Sequence, residues 1–153
     1  MYVDNYFVFQ GSERFLAIAN EEGDLIIQDT NHSGENATVL DFSAHSNAIF
    51  DVSWQPQNFG IIATASGDTS VRIWDLENTD FSDTEDNYIR KYNFERSVKC
   101  VEFMPQNPNL MVTGTRKGSI FVWDLRDPEN TKPALAIRRA HTHSASGGEF
   151  HFF

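Results

Sequence analysis

A histidine and an aspartate of this chain, His45 and Asp68, have the side chains that a general base and its orienting carboxylate require. They are the nearest approach to a catalytic dyad in the sequence. The sequence offers no paired nucleophile and base, glycine-rich phosphate loop, metal-ligand spacing or carboxylate pair in an apolar setting. It therefore predicts no enzyme, no metal site and no cofactor, and the two residues need another explanation.

The segments around these residues are repeated. Trp74 and Trp123 each precede an aspartate and close stretches that align without a gap at a spacing of 49 residues. Apolar positions and one proline recur at the same spacing. The aligned pairs are Ile49 with Val98, Val52 with Val101, Trp54 with Phe103, Pro56 with Pro105, and Ile61 with Leu110. One structural unit is therefore written at least twice.

A weaker copy precedes these two units, with Gln28 where the next unit has Trp74. A period in the forties to about fifty residues, with short alternating apolar runs and a terminal Trp-Asp, is typical of WD-repeat propeller blades. Each blade is a four-stranded antiparallel sheet. The sequence predicts an all-β fold, a partial WD40 β-propeller of about three blades spanning residues 1–141. The predicted units lie at about 14–43, 44–93 and 94–139.

Propellers close with roughly four to eight blades, so three units leave the ring open. We expect a piece of a longer protein, a truncated product or a module completed by association, with apolar surface exposed on its terminal blades. Residues 142–153 depart from the repeat and predict a flexible tail. The histidines there and just before it, His141, His143 and His151, lack the companions of a metal site.

Short alternating runs bounded by turn residues predict strands and no helix. The predicted strands are 15–19, 25–29, 38–42, 49–54, 61–65, 70–75, 88–94, 98–104, 110–114, 119–124 and 134–138.

WD repeats explain the candidate dyad. In them a histidine before the first strand, a serine or threonine on the second strand, a turn aspartate and the third-strand tryptophan form one hydrogen-bonded set. His45, Thr64 or Ser66, Asp68 and Trp74 fit those places. A buried indole N–H without an acceptor costs about 1–3 kcal/mol, which such a set avoids. We therefore interpret these residues as structural.

The other two units depart from this set. The third keeps Thr113, Thr115 and Trp123 but has Phe94 and Lys117 at the histidine and aspartate places, which predicts an incomplete network. The first has Glu22 at the aspartate place and no tryptophan, so it is expected to be held mostly by apolar packing. Stability is predicted to peak in the middle blade.

Charge and cysteine content limit the partners. A formal net charge of −10 argues against a phosphate-binding surface, so direct binding of nucleic acid is not expected. No apolar run has the length of a membrane span, and no membrane partner is expected. The single cysteine, Cys100, favours a reducing compartment. Residues 77–87 hold five acids and no base, which predicts a solvated loop or, alternatively, a segment that steers a basic partner.

Four segments resemble the denticleless family of WD-repeat proteins, which are substrate receptors of cullin-4 RING ubiquitin ligases. They read LAIANEEG, AHSNAIFDVSW, TASGD and WDLR, at residues 16–23, 44–54, 64–68 and 123–126. The resemblance runs from about Phe15 to His141, the N-terminal part of the family's propeller. It implies that Trp123, Asp124 and Arg126 form a box that docks on the adaptor, damage-specific DNA-binding protein 1, in the cullin-4 complex.

The resemblance also implies a nuclear location, with the cytoplasm as a second one, and a role in ubiquitin-dependent degradation of replication and cell-cycle proteins. In the full-length family members the substrates are bound to the replication sliding clamp. Here Glu77 follows Trp74-Asp75 where a second box would have arginine, so one box is intact. Two alternatives stay open: a WD-repeat interaction scaffold with no ligase link, and an inert truncated product with exposed sheet edges.

Overall fold

The computed structural model describes residues 7–10, 14–58, 60–77, 87–129 and 131–140 of the chain. This part forms three four-stranded antiparallel sheets, each made of strands consecutive in sequence. The strands are β1 Phe7–Gln10, β2 Phe15–Ala19, β3 Asp24–Asp29, β4 Thr38–Ser43, β5 Ile49–Trp54, β6 Ile61–Ser66, β7 Ser70–Asp75, β8 Arg90–Asn93, β9 Val98–Met104, β10 Asn107–Thr115, β11 Ile120–Asp124 and β12 Leu135–Ile137. The predicted all-β architecture of three blades in an open ring is confirmed.

One strand was not predicted. β1 pairs with β2 so that Phe7 lies opposite Ala19, which completes the first blade and starts it before residue 14. The run Phe7-Val8-Phe9 is apolar without alternation, so the periodicity that marked the other strands did not indicate β1. A 3-10 helix at Gly34–Ala37, in the polar loop before β4, was likewise not predicted.

Two apolar cores lie between the blades. The first joins Leu25 and Phe42 of the first blade to Ile62 and Trp74 of the second, and the Phe42 and Trp74 ring centroids are 5.1 Å apart. The second core joins the opposite face of the middle blade to the third blade. Its large members are Ile73, Tyr92, Phe103, Met111 and Trp123. Since each fully buried side chain of this size contributes about 1.5–3 kcal/mol, these two interfaces hold the blades together.

The middle blade is therefore buried on both faces, and its central strand β6 has five consecutive buried residues. Such an uninterrupted buried run differs from the alternation of a sheet that is solvated on one face. This burial supports the prediction that stability peaks in the middle blade, which stays a prediction.

Polar side chains also tie the inner strands of neighbouring blades. Asp51 Oδ2 accepts a hydrogen bond from the Val101 amide at 2.9 Å, and Ser53 Oγ accepts one from the Phe103 amide at 3.1 Å. At the other side of the third blade, the outermost strand β12 exposes Leu135 and Ile137. Among the described residues, no helix combines the length and apolar character needed to span a membrane.

Candidate functional site

The middle blade contains a continuous hydrogen-bonded chain that starts at the indole. Trp74 Nε1 donates to Thr64 Oγ1 at 3.0 Å, and Thr64 Oγ1 lies 2.6 Å from His45 Nε2. His45 Nδ1 lies 2.9 Å from Asp68 Oδ2. Because a carboxylate only accepts, Nδ1 carries the imidazole hydrogen and Nε2 accepts from the Thr64 hydroxyl. The structure thus brings these four residues together.

Thr64, and not Ser66, receives the indole hydrogen bond. Ser66 Oγ donates to the Asn47 carbonyl and accepts from the Asp68 amide, both at 3.0 Å, so it holds the turn that carries Asp68. The sequence interpretation had left this choice open. The strand register decides it, since β6 and β7 pair Ile62 with Trp74 and leave Thr64 within reach of the indole.

Two further side chains belong to this network and were missed in the sequence. Ser70 Oγ donates to Asp68 Oδ1 at 2.7 Å. Arg72 Nη1 donates to the Ala44 carbonyl at 2.9 Å, and Arg72 Nη2 lies 3.6 Å from Asp68 Oδ2. The sequence indicates such partners only indirectly. His45 occupies one carboxylate oxygen of Asp68, and the other oxygen needs a hydrogen-bond donor of its own.

Burial and charge set the protonation of the network. Burial lowers the pKa of His45, so the imidazole is neutral near pH 7. Burial by itself would raise the pKa of Asp68, but hydrogen bonds from His45 and Ser70 outweigh burial, and the pKa of this carboxyl is lowered. His45 and Thr64 are almost fully shielded from solvent, at 3% and 0% exposure. A substrate could not reach them without opening the blade, so the arrangement braces Trp74.

The third blade keeps only the first link of this chain. Trp123 Nε1 donates to Thr113 Oγ1 at 3.0 Å. The Phe94 ring lies 5.6 Å from the Trp123 ring, and Lys117 pairs with Glu95 on the surface at 2.6 Å. Thr115 Oγ1 donates to the Ser119 carbonyl at 3.4 Å and is not part of the chain. At the place of His45, the third blade has Phe94, which packs on the indole and forms no hydrogen bond with it, in agreement with the predicted incomplete network.

The first blade has a polar brace of its own beside its apolar core, and the prediction that apolar packing mostly holds it stays a prediction. The buried Asn20 side chain accepts from the amides of Glu22, Gly23 and Asp24 at 3.1, 2.9 and 2.8 Å. Gly23 has φ +104°, and a Cβ there would lie 2.1 Å from the His45 carbonyl oxygen. Only glycine fits where this turn meets the second blade.

The predicted docking box lies where β11 ends. Trp123 is buried in the second core and cannot touch a partner directly, so its part is to anchor the strand. Asp124 Oδ1 accepts from the Arg126 amide at 3.1 Å and from Arg126 Nε at 2.9 Å, and Oδ2 accepts from Arg126 Nη2. The Arg126 side chain is 70% exposed. Asp124 therefore holds an exposed guanidinium in one orientation.

The same contacts explain the electrostatics of the box. Hydrogen bonds from the Arg126 side chain and amide lower the pKa of Asp124 to about 2. The same pairing raises the pKa of Arg126. Both groups are therefore charged throughout the physiological range, and Arg126 offers a permanent donor at this rim.

The second blade has the same turn with a different side chain. The amides of Leu76 and Leu125 donate to the carbonyls of Gly60 and Asn109, each at 2.7 Å. The Glu77 amide donates to Asp75 Oδ1 at 3.1 Å, as the Arg126 amide does to Asp124. Two blades thus present opposite charges from equivalent positions on the rim.

Sequence reasoning missed one residue at the box. Arg90 of β8 reaches from the second blade to the loop of the third, where its Nη2 donates to the Leu125 carbonyl at 2.7 Å. Nothing in the sequence near Arg90 indicates this contact, because it joins residues 35 apart on separate sheets.

Some sequence predictions fall on residues outside the described ranges. They are the predicted tail at 142–153, the three histidines from His141 onward, and residues 78–86 of the acidic segment. Within the described ranges, no group of three or more His, Cys, Asp or Glu side chains is placed to hold a metal ion.

Comparison with known proteins connects the chain to curated relatives. It is 45% identical to the denticleless protein homolog of Gallus gallus over 67 residues, which is 42% of this chain and 9% of that protein. It is 39% identical to protein lethal(2)denticleless of Drosophila melanogaster over 69 residues, 43% of this chain and 9% of that protein. It is 36% identical to the denticleless protein homolog of Homo sapiens over 66 residues, which is 42% of this chain and 9% of that protein.

The resemblance to denticleless proteins is thereby confirmed, although the matches span only about a tenth of the length of these relatives. The family model described as WD domain, G-beta repeat matches residues 36–75 and 86–124. The first stretch covers β4 of the first blade and β5 to β7 of the middle blade, the second covers β8 and β9 to β11, and together they make up more than half of the chain. Together with the three sheets and the repeated tryptophan–threonine bond, they show that the chain belongs to the WD domain, G-beta repeat family.

Proposed function

We propose that this chain is part of a substrate receptor of a cullin-4 RING ubiquitin ligase and docks on the adaptor, damage-specific DNA-binding protein 1, through Arg126. The observation that carries the proposal is the exposed guanidinium that Asp124 holds at the end of β11. Similarity to denticleless proteins over about 42% of the chain supports the choice of partner.

The geometry of Arg126 suits docking on a fixed acceptor. Asp124 occupies Nε and Nη2, so the guanidinium is oriented before any partner arrives. A preoriented arginine loses less rotamer freedom on binding than a mobile one. Its remaining N–H groups can donate charge-assisted hydrogen bonds to a carbonyl or carboxylate on the adaptor. Exposure at the rim leaves room for such a partner.

The proposed role is non-catalytic. The histidine–tryptophan network is buried and braces the middle blade, and the covalent chemistry of ubiquitin transfer is assigned to other subunits of the ligase. In the full-length receptor, the substrates are replication and cell-cycle proteins bound to the sliding clamp, and the complex acts in the nucleus. The strongly negative net charge supports contact with proteins and not directly with nucleic acid.

Binding of the purified adaptor to the full 153-residue chain tests the proposal. Wild type and Glu77→Ala are expected to bind equally, while Arg126→Ala binds at least about tenfold more weakly, as for an interface arginine that becomes desolvated. Glu77 is the matched control because it occupies the same turn in the second blade. Equal binding of Arg126→Ala and wild type would remove the role of Arg126. Absence of wild-type binding would favour a WD-repeat scaffold with no ligase link.

A further inference from the structure

The loop that carries Arg126 is held from the neighbouring blade. Arg90 Nη2 donates to the Leu125 carbonyl at 2.7 Å, and Arg90 Nη1 donates to the Asp127 carbonyl at 3.3 Å. These carbonyls flank Arg126 on both sides. A planar guanidinium can bridge two acceptors in one fixed geometry, which restricts the backbone between them.

Arg90 is itself held in place by the core below it. Its Nη1 also donates to the Tyr92 hydroxyl at 3.3 Å. The Tyr92 ring in turn packs against the Trp123 ring, with centroids 4.3 Å apart. The tryptophan of the box, the tyrosine, Arg90 and the loop carbonyls therefore form a continuous path from the second core to the rim.

Among the described residues, the junction between the first and second blades has a different side chain at this place. On the outer strand of the second blade, Arg90 pairs with Ile73, and at the equivalent register of the first blade Leu40 pairs with Ile27. Leu40 packs against the first core. The loop after the first junction carries Glu77, and the loop after the second carries Arg126. Within the described part of the two junctions, the register position holds leucine beside the loop with Glu77 and arginine beside the loop with the intact box.

We propose that Arg90 is a positioning residue of the docking site, which fixes the loop that presents Arg126 and makes that site a property of two blades. This inference rests on the proposed function, because it assigns Arg90 to the same adaptor contact. Arg90 acts through the backbone of the loop and not by touching the partner. The third blade alone is then insufficient for full affinity.

Adaptor binding by the full chain tests this role. Arg90→Ala is expected to bind about five- to tenfold more weakly than wild type, less of a loss than for Arg126→Ala. Arg90→Lys restores part of the affinity, since an ammonium reaches one carbonyl but cannot bridge two. Lys91→Ala removes a cation from the opposite face of β8 and is the control, with no expected change.

A double variant separates positioning from general stability. If Arg90 acts through Arg126, then Arg90→Ala combined with Arg126→Ala binds no more weakly than Arg126→Ala alone. Losses that multiply in the double variant would overturn the proposal. Unchanged binding by Arg90→Ala would overturn it as well.

Hydrogen exchange of the unbound chain gives a reading that does not depend on the adaptor. Arg90→Ala is expected to raise exchange at the Leu125 and Arg126 amides about tenfold, with β6 and β7 unchanged. If wild type does not bind the adaptor, the proposed function fails, and exchange alone decides whether Arg90 fixes the loop. Unchanged exchange there, or an equal rise throughout β6 and β7, would overturn the positioning role.

Discussion

The middle and third blades share one bond and differ in what surrounds it. In both, a tryptophan on the third strand donates at 3.0 Å to a threonine ten residues earlier. The middle blade extends this bond to His45 and Asp68, whereas the third blade packs Phe94 against the indole. On the rim, the equivalent turn carries the negative Glu77 in the middle blade and the positive Arg126 in the third. The indole–hydroxyl bond is thus the common element, and the residues around it differ between the two blades.

The largest expected effect tests whether this bond and its indole are equally important in both blades. Trp74→Ala and Trp123→Ala should each lower the free energy of unfolding by about 3–5 kcal/mol, since each removes a large buried side chain and leaves a cavity. Urea denaturation followed by circular dichroism measures both. A loss below about 1 kcal/mol in either variant would contradict the idea of a common element.

The next prediction exchanges the residues that differ between the two networks, His45 of the middle blade and Phe94 of the third. His45→Phe copies the third blade into the second and should cost about 2–4 kcal/mol, because buried Thr64 and Asp68 each lose a partner. The reciprocal Phe94→His should cost about 1–3 kcal/mol, since the imidazole finds Lys117 in place of an aspartate. The same denaturation measurements apply. A neutral His45→Phe would mean that the extended network contributes nothing to stability.

The third prediction concerns the pH dependence of the free energy of unfolding. It involves Asp51, which occupies the place in the middle blade that Cys100 occupies in the third. Burial raises the pKa of Asp51 from 3.8 to about 6 in the folded chain, and burial raises the pKa of Cys100 to about 11. The protonated Asp51 therefore contributes stability below about pH 4, and this contribution is lost as the pH rises through about 6. Asp51→Asn removes the ionisation and keeps one acceptor oxygen for the Val101 amide, while the bond from the Val52 amide is lost at every pH.

We expect Asp51→Asn to gain about 1–2 kcal/mol relative to wild type between about pH 4 and pH 7. Unfolding curves of both proteins at several pH values give this difference directly. Other groups, such as Asp68, affect both proteins equally and cancel in the comparison. A difference that does not change with pH would show that Asp51 keeps an ordinary pKa in the folded chain.

The smallest effect concerns the rim. Glu77→Arg should change the free energy of unfolding by no more than about 0.5 kcal/mol, because Glu77 is exposed. It should also create no second docking site, since the first blade has Leu40 where the second has Arg90. Adaptor binding with one site per chain, measured by calorimetry, is the expected result. Two sites would show that a rim arginine alone is sufficient.

Much of the fold could be predicted from the sequence because it depends on local spacing. Alternating apolar residues mark the strands, and β5, β7 and β9 match their predicted bounds. An offset of ten residues across a tight turn places Thr64 diagonally across from Trp74 on the adjacent strand, and the register that pairs Ile62 with Trp74 selects Thr64 over Ser66 as the acceptor. Elements whose residues do not alternate, such as β1 and the 3-10 helix, give no periodic signal and were missed.

The amino-acid sequence by itself thus determined the repeated blades, the tryptophans with Thr64 or Ser66 as the candidate acceptor, and the box at the end of β11. Only the tertiary structure decided that Arg90 bridges two carbonyls beside Arg126 and that Asp51 binds the Val101 amide. The bridges made by Arg90 and Asp51 cross between separate sheets, so they depend on how one blade packs against the next. Spacing along the chain specifies each sheet, whereas packing between sheets specifies which polar atoms meet.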